Sequence, residues 1–96
     1  MRFKIQLEIH DYSDASKHLL FTKEIQCDHD IKKDDQLYLI PNTTHLAHVS
    51  FTILDLIKNV KFIVCSVTFE NVTKFLSNTN VLTENGWEKI GDSQVQ

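Results

Sequence analysis

Glycine is nearly missing from this chain, with Gly86 and Gly91 the only two among 96 residues. No glycine-rich loop able to cradle a phosphate can form upstream of residue 86, which excludes P-loop and dinucleotide fingerprints. Turns elsewhere must draw on Asn and Asp, whose short side chains bond their own backbone. Proline is rarer still, at Pro41 alone, and the two cysteines, Cys27 and Cys65, are too few for a disulfide framework. Long apolar runs are also lacking: none approaches the roughly 20 residues that span a bilayer. Met1 leads straight into alternating residues rather than a secretory leader. These absences predict a cytoplasmic protein with no membrane association and with both thiols reduced.

Charge of neither sign accumulates. Ten basic and 13 acidic residues give a formal net charge of −3, spread along the chain without a basic stripe. Such a surface argues against general nucleic-acid binding, which needs clustered cations to displace counterions. The 42% hydrophobic and 24% charged content is that of an ordinary folding domain.

What is present is alternation. Phe3, Ile5, Leu7 and Ile9 are separated by Lys4, Gln6 and Glu8, the period of a strand with one buried face. A turn-forming segment, 11–16, leads to a return strand over 18–27, where Leu19, Phe21, Ile25 and Cys27 share one parity and Lys23 interrupts it. The polar segment 28–35 reads as a loop, and 36–40 as a short strand stopped by Pro41. Val60 to Phe69 carries the strongest strand signal. Val60, Phe62 and Val64 make its first half apolar on both faces, which predicts a central, doubly covered position. Near the C-terminus, a helical turn carrying Val81 and Leu82 should stop at Asn85-Gly86, with Trp87 and Ile90 packing back on the core.

Residues 45–59 fit two periods. As a strand, Ala47, Val49, Phe51 and Ile53 alternate with polar neighbours. As a helix, Leu46, Val49, Ile53, Leu56 and Val60 form one stripe. β-Branched and aromatic content at 49–53 favours the strand, with a turn at 55–59. The expected fold is therefore all-β and mainly antiparallel, a small SH3-like barrel or roll of five to six strands with one short C-terminal helical turn. The alternative is an α+β sheet with a helix at 45–59. Residues 1–92 read as one small β-rich domain, and 93–96 as a frayed tail.

Candidate chemistry is sparse. Cys27, His29, His45 and His48 supply one thiolate and three imidazoles, the donor set of a tetrahedral zinc site. Yet Cys27 also completes an apolar alternation, and His45 and His48 share a face only on a helix. Asp28, Asp30, Asp34 and Asp35 crowd one loop, but Lys32 and Lys33 stand where a calcium loop needs a ligand and a glycine. His10, Asp11, Ser13, Asp14 and His18 hold the residue types of a Ser-His-Asp system, though beside a turn rather than on a rigid scaffold. Cys65 falls on the core parity of its strand, where a thiol is inert. Tyr12, Tyr38 and Trp87 are the aromatics to consider for base stacking on a small barrel.

No catalytic set, cofactor fingerprint or basic patch stands out. The expected function is a non-catalytic protein-interaction module, a small adaptor or inhibitor acting by binding another protein, with strand-edge pairing into a homodimer as one mode. A metal-binding domain using Cys27, His29, His45 and His48 is one alternative. A small barrel binding single-stranded nucleic acid is another.

Overall fold

The alternation at residues 3–9 becomes the centre of a six-stranded sheet in the computed structural model, which describes residues 2–12, 17–40, 45–69 and 80–94. In chain order the elements are β1 (Arg2–Asp11), β2 (Lys17–Gln26), β3 (Gln36–Leu37), β4 (Ala47–Asp55), β5 (Val60–Phe69), α1 (Asn80–Glu84) and β6 (Glu88–Gln94). Across the sheet the order is β3-β4-β5-β1-β2-β6. The sheet curls into a half-barrel, the small barrel or roll expected from the pattern. No helix among the described residues is long and apolar enough to cross a membrane.

Curling brings the core-facing side chains of distant strands together. Phe3, Ile5, Leu7 and Ile9 of β1, Leu19 and Phe21 of β2, and Ile63, Cys65 and Val67 of β5 form one cluster with Ala47 and Val49 of β4. Ile31, Ile40, Leu82 and Trp87 close it from the loops and α1. Four of the strand pairings are antiparallel, and β1 with β5 is parallel, in the register Ile5 to Ile63 and Leu7 to Cys65. A sequence pattern does not announce this parallel pair, because a strand buried on one face alternates in the same way whichever direction its neighbour runs.

Residues 47–55 are strand, so the α+β alternative with a helix at 45–59 is overturned. The chain turns at 56–59, close to where expected, and Val60 pairs back with Asp55. Two expectations about coverage need correction. β5 is central, but its outer face is covered only in part: Val60 is buried, whereas Phe62 and Val64 are half-buried. Ile90 does not join the core either and is half exposed. It is the extra residue of a β-bulge, since Lys89 aligns with Phe21 and Gly91 with Leu20, and a bulge re-aims the inserted side chain. β3 is two residues rather than five, and β6 takes in Ser93 and Gln94, which the sequence pattern left in the tail. The segment Val72 to Leu76 also reads from the sequence as a short strand, and it lies outside the described residues.

Lys23, the interruption in the β2 parity, stays on the core side opposite Ile5. Its stem runs past Trp87, with Nζ 5.9 Å from the ring centroid, and Nζ donates to the Asn85 carbonyl at 2.6 Å. A lysine can hold such a position by burying its methylenes and sending the ammonium to a carbonyl at a helix end. The stop itself is a Schellman motif. Trp87 N donates to Leu82 O at 3.0 Å, Gly86 N donates to Thr83 O at 3.2 Å, and Gly86 sits at φ 89°. Leu82 and Trp87, the pair such a motif brings together, are both buried.

Candidate interaction surface

The hairpin joining β4 to β5 carries the least ordinary surface of the described residues. Phe51, Ile53, Leu54, Leu56 and Ile57 are 47%, 56%, 52%, 80% and 98% exposed. Single exposed apolar residues are unremarkable, but five within seven positions are not. At these exposures they present on the order of 600 Å² of mostly apolar surface in all, spread over both sides of the strand and the turn, where the largest single patch on a typical monomer is about 300–600 Å².

Local chemistry makes this tip rigid. Asp55 Oδ1 accepts from the backbone N–H of Ile57 and of Lys58, both at 3.1 Å, an Asx turn that uses the carboxylate to replace missing backbone partners. Asn59 then takes φ 54°, a left-handed conformation that asparagine tolerates well. Leu56 and Ile57 are thus held outward by a tight turn that needs nothing from their side chains.

The outer edge of β4 is covered over part of its length. β3 pairs with it at Ala47 and His48. The preceding loop continues this cover: Asp34 N donates to Val49 O and Val49 N donates to Asp35 O, each at 2.9 Å. A register shift between Val49 and Phe51 follows, and from Phe51 to Asp55 no strand among the described residues pairs with that edge. Inside the edge, Phe51 aligns with Val64 and Ile53 with Phe62. These pairs run into a shallow concavity of about 290 Å³ on the outer face, bordered by Lys4, Gln6, Thr22 and Ile90. Its volume is at the lower limit of small-molecule pockets, about 300 Å³.

The four candidate metal ligands are not brought together. No three His, Cys, Asp or Glu side chains converge as a metal site would require among the described residues. Register explains the separation. Gln26 aligns with Arg2 and through it with Val60, so Cys27 follows at that end, while His48 aligns with Ser66. Six residues along β5 is about 20 Å. His29, His45 and His48 are exposed, and His48 Nε2 lies 3.2 Å from Asp34 Oδ1.

The acidic loop spends its carboxylates on structure. Asp35 Oδ2 accepts from Lys32 N at 2.9 Å, and Asp30 meets Lys61 Nζ at 2.9 Å. The Lys61 ammonium, hydrogen-bonded to Asp30, holds that carboxyl below its ordinary value. His10 and His18 face each other across β1 and β2 with ring centroids 5.7 Å apart, and His10 Nε2 lies 3.4 Å from Glu8. Asp11 is buried; Ser13 and Asp14 lie outside the described residues. Tyr12 and Tyr38 are exposed, whereas Trp87 is buried and offers no ring face to a base.

Cys65 is fully buried, and burial pushes its thiol up to about 12, since desolvation penalises the thiolate. Two outcomes are expected. At pH 8 a thiol reagent leaves Cys65 unmodified in the folded protein and modifies it in guanidinium. Stability also falls between about pH 9 and 12, where the unfolded chain releases the Cys65 proton and the native chain retains it. Mass spectrometry of the labelled protein and urea titrations across that window check both. Rapid labelling of native Cys65 would contradict its place in the core.

The apolar hairpin is the feature sequence reasoning passed over. Its signal was there, because a turn normally filled by polar residues here holds Leu56 and Ile57. Compared with protein-family models, characterised proteins and solved structures, the chain matches none of them.

Proposed function

We propose that this chain is a non-catalytic protein-interaction module, an adaptor or inhibitor acting by binding, and that it binds through the β4–β5 hairpin. One observation carries the reading: the run Phe51–Ile57 exposes apolar side chains on both faces of one strand and on the turn that follows. Burying a leucine or isoleucine side chain is worth about 1.5–3 kcal/mol, so leaving several in water is a standing cost that a bound partner would relieve. The open edge of β4 adds unpaired backbone groups, the element used when an extended segment joins a sheet. A cytoplasmic setting belongs to the same proposal.

Site-specific photocrosslinking tests it. With p-benzoylphenylalanine at position 57 of the full chain, expressed in its native host, irradiation is expected to give a protein adduct. The same probe at Tyr12, also well exposed and beyond the far end of β1, is expected to give none. Absence of an adduct at 57, or equal yields at both positions, overturns the assignment of this surface.

A further inference from the structure

We propose that the open edge of β4 pairs antiparallel with β4 of a second copy of this chain, about a two-fold axis at Ile53, joining two half-barrels in one continuous sheet. This rests on the interaction reading above and names its partner. The pattern of exposure points to the edge rather than a face. After the register shift, Phe51 and Ile53 lie on the outer side with Val64 and Phe62, whereas Leu54 aligns with Lys61 and belongs to the opposite side. A lid over one face would leave Leu54 or the Phe51–Ile53 pair in water. A strand laid along the edge supplies neighbours on both sides at once.

The length of the opening sets the register. Cover from β3 and the Asp34–Asp35 segment ends at Val49, and Asp55 closes the strand. A two-fold at Ile53 sets Phe51 opposite Asp55 and Thr52 opposite Leu54, so all five open positions are filled. Centring on Asp55 instead would set two carboxylates face to face. Beyond the register shift at Val49–Phe51, four of the five open positions, Phe51, Thr52, Ile53 and Leu54, include no charge and no proline to guard against such pairing.

Charge and area favour a second copy as the occupant. The antiparallel arrangement carries the turn of one copy, with the exposed Lys58, towards the covering Asp34–Asp35 segment of the other, where the exposed Asp34 carboxylate lies 3.2 Å from His48 Nε2. Unlike charges therefore meet at both ends of the paired segment. Phe51, Ile53 and Leu54 of the paired segment carry about half of the exposed apolar surface of the hairpin, with Leu56 and Ile57 at its margin, towards the roughly 800 Å² per partner of a stable interface.

Sedimentation equilibrium of the full chain at about 100 µM, a concentration that populates dimers of micromolar affinity, is expected to give twice the 11.2 kDa chain mass. Ile53→Lys sets two ammonium groups together on the axis and should return the monomer mass without altering the far-ultraviolet spectrum. In a Cys27→Ser background, Ile53→Cys should form a disulfide-linked dimer under mild oxidation, because directly opposed residues lie about 4.5–5.5 Å apart at Cα, within disulfide reach. Leu54→Cys, opposite Thr52, should not. A monomeric wild type, or a dimer indifferent to Ile53→Lys with no Ile53→Cys linkage, overturns the proposal. If the wild type is monomeric yet position 57 crosslinks to a different protein, the second copy is excluded and the interaction reading stands. If the wild type is monomeric and position 57 crosslinks to nothing, both fail.

Discussion

Phe21→Ala is expected to lower the free energy of unfolding by about 3–5 kcal/mol, the range for removing a buried aromatic ring. Phe21 is fully buried, aligned with Leu7 of β1 on one side and with Lys89 of β6 on the other. It also sits at the β2–β6 bulge, where the register changes after Leu20, so the neighbouring backbone has little freedom to collapse into the void. Domains of this size are stable by about 5–15 kcal/mol in all; the loss therefore takes a large share. Urea denaturation followed by circular dichroism measures it, and a loss below about 1 kcal/mol would mean that the ring is not packed as described. Ile57→Ala is the matching control. At 98% exposure, its effect on monomer stability should stay within about 0.5 kcal/mol, measured where the protein is dilute enough to be monomeric. The two substitutions separate what holds the fold from what the fold displays.

That separation also marks how far the sequence was legible. β1 and β5 could be read because alternation over 3–9 and 63–69 has one physical cause, a face in the core and a face towards water, and the core cluster contains every residue of those two stripes whose side chain is described. The 45–59 segment resolved as strand because Val49, Phe51, Thr52 and Ile53 favour a pleated chain and because β5 offers them a partner. That pairing is a long-range event on which the helical stripe is silent. Pairing between strands adjacent in sequence was legible where a turn announced it, as at 11–16 between β1 and β2, but distant partners were not. The parallel β1–β5 contact and the docking of β6 outside β2 depend on how the whole sheet curls, and β6 is a polar edge strand, Glu88-Lys89-Ile90-Gly91-Asp92-Ser93-Gln94, with no alternation to read. The metal constellation failed for the same reason. Donor type alone grouped Cys27 and His29 with His45 and His48, and register then set Cys27 and His48 at different ends of the sheet. The apolar turn belonged to a third kind of signal. Leu56 read as part of a helical stripe, and only once the helix was gone did it stand as an uncovered side chain beside Ile57.

Trp87→Ala should produce a loss of similar size but different distribution. Trp87 is buried at the junction of α1 and β6, its N–H bonded to Leu82 O and its ring close to the Lys23 ammonium. With the fully buried Leu82, it is what carries the C-terminal unit into the core, since α1 is five residues long and β6 is an edge strand that pairs, among the described residues, with β2 alone. Removing a tryptophan ring costs about 3–5 kcal/mol, and a unit held by few core side chains can lose that energy by opening alone instead of unfolding the whole sheet. Hydrogen exchange resolved by residue is therefore expected to show β6 amides losing protection by at least about 100-fold, which corresponds to roughly 2.7 kcal/mol, while β1 and β5 at the centre lose much less. Phe21→Ala, by contrast, should lower protection in β1, β2 and β5 together. Equal loss in every strand of the Trp87→Ala protein would mean that α1 and β6 are not a separable unit. In that case Lys23, which binds the Asn85 carbonyl from the middle of β2, couples them to the sheet more tightly than the tryptophan does, and Lys23→Met should then be the substitution that uncouples them.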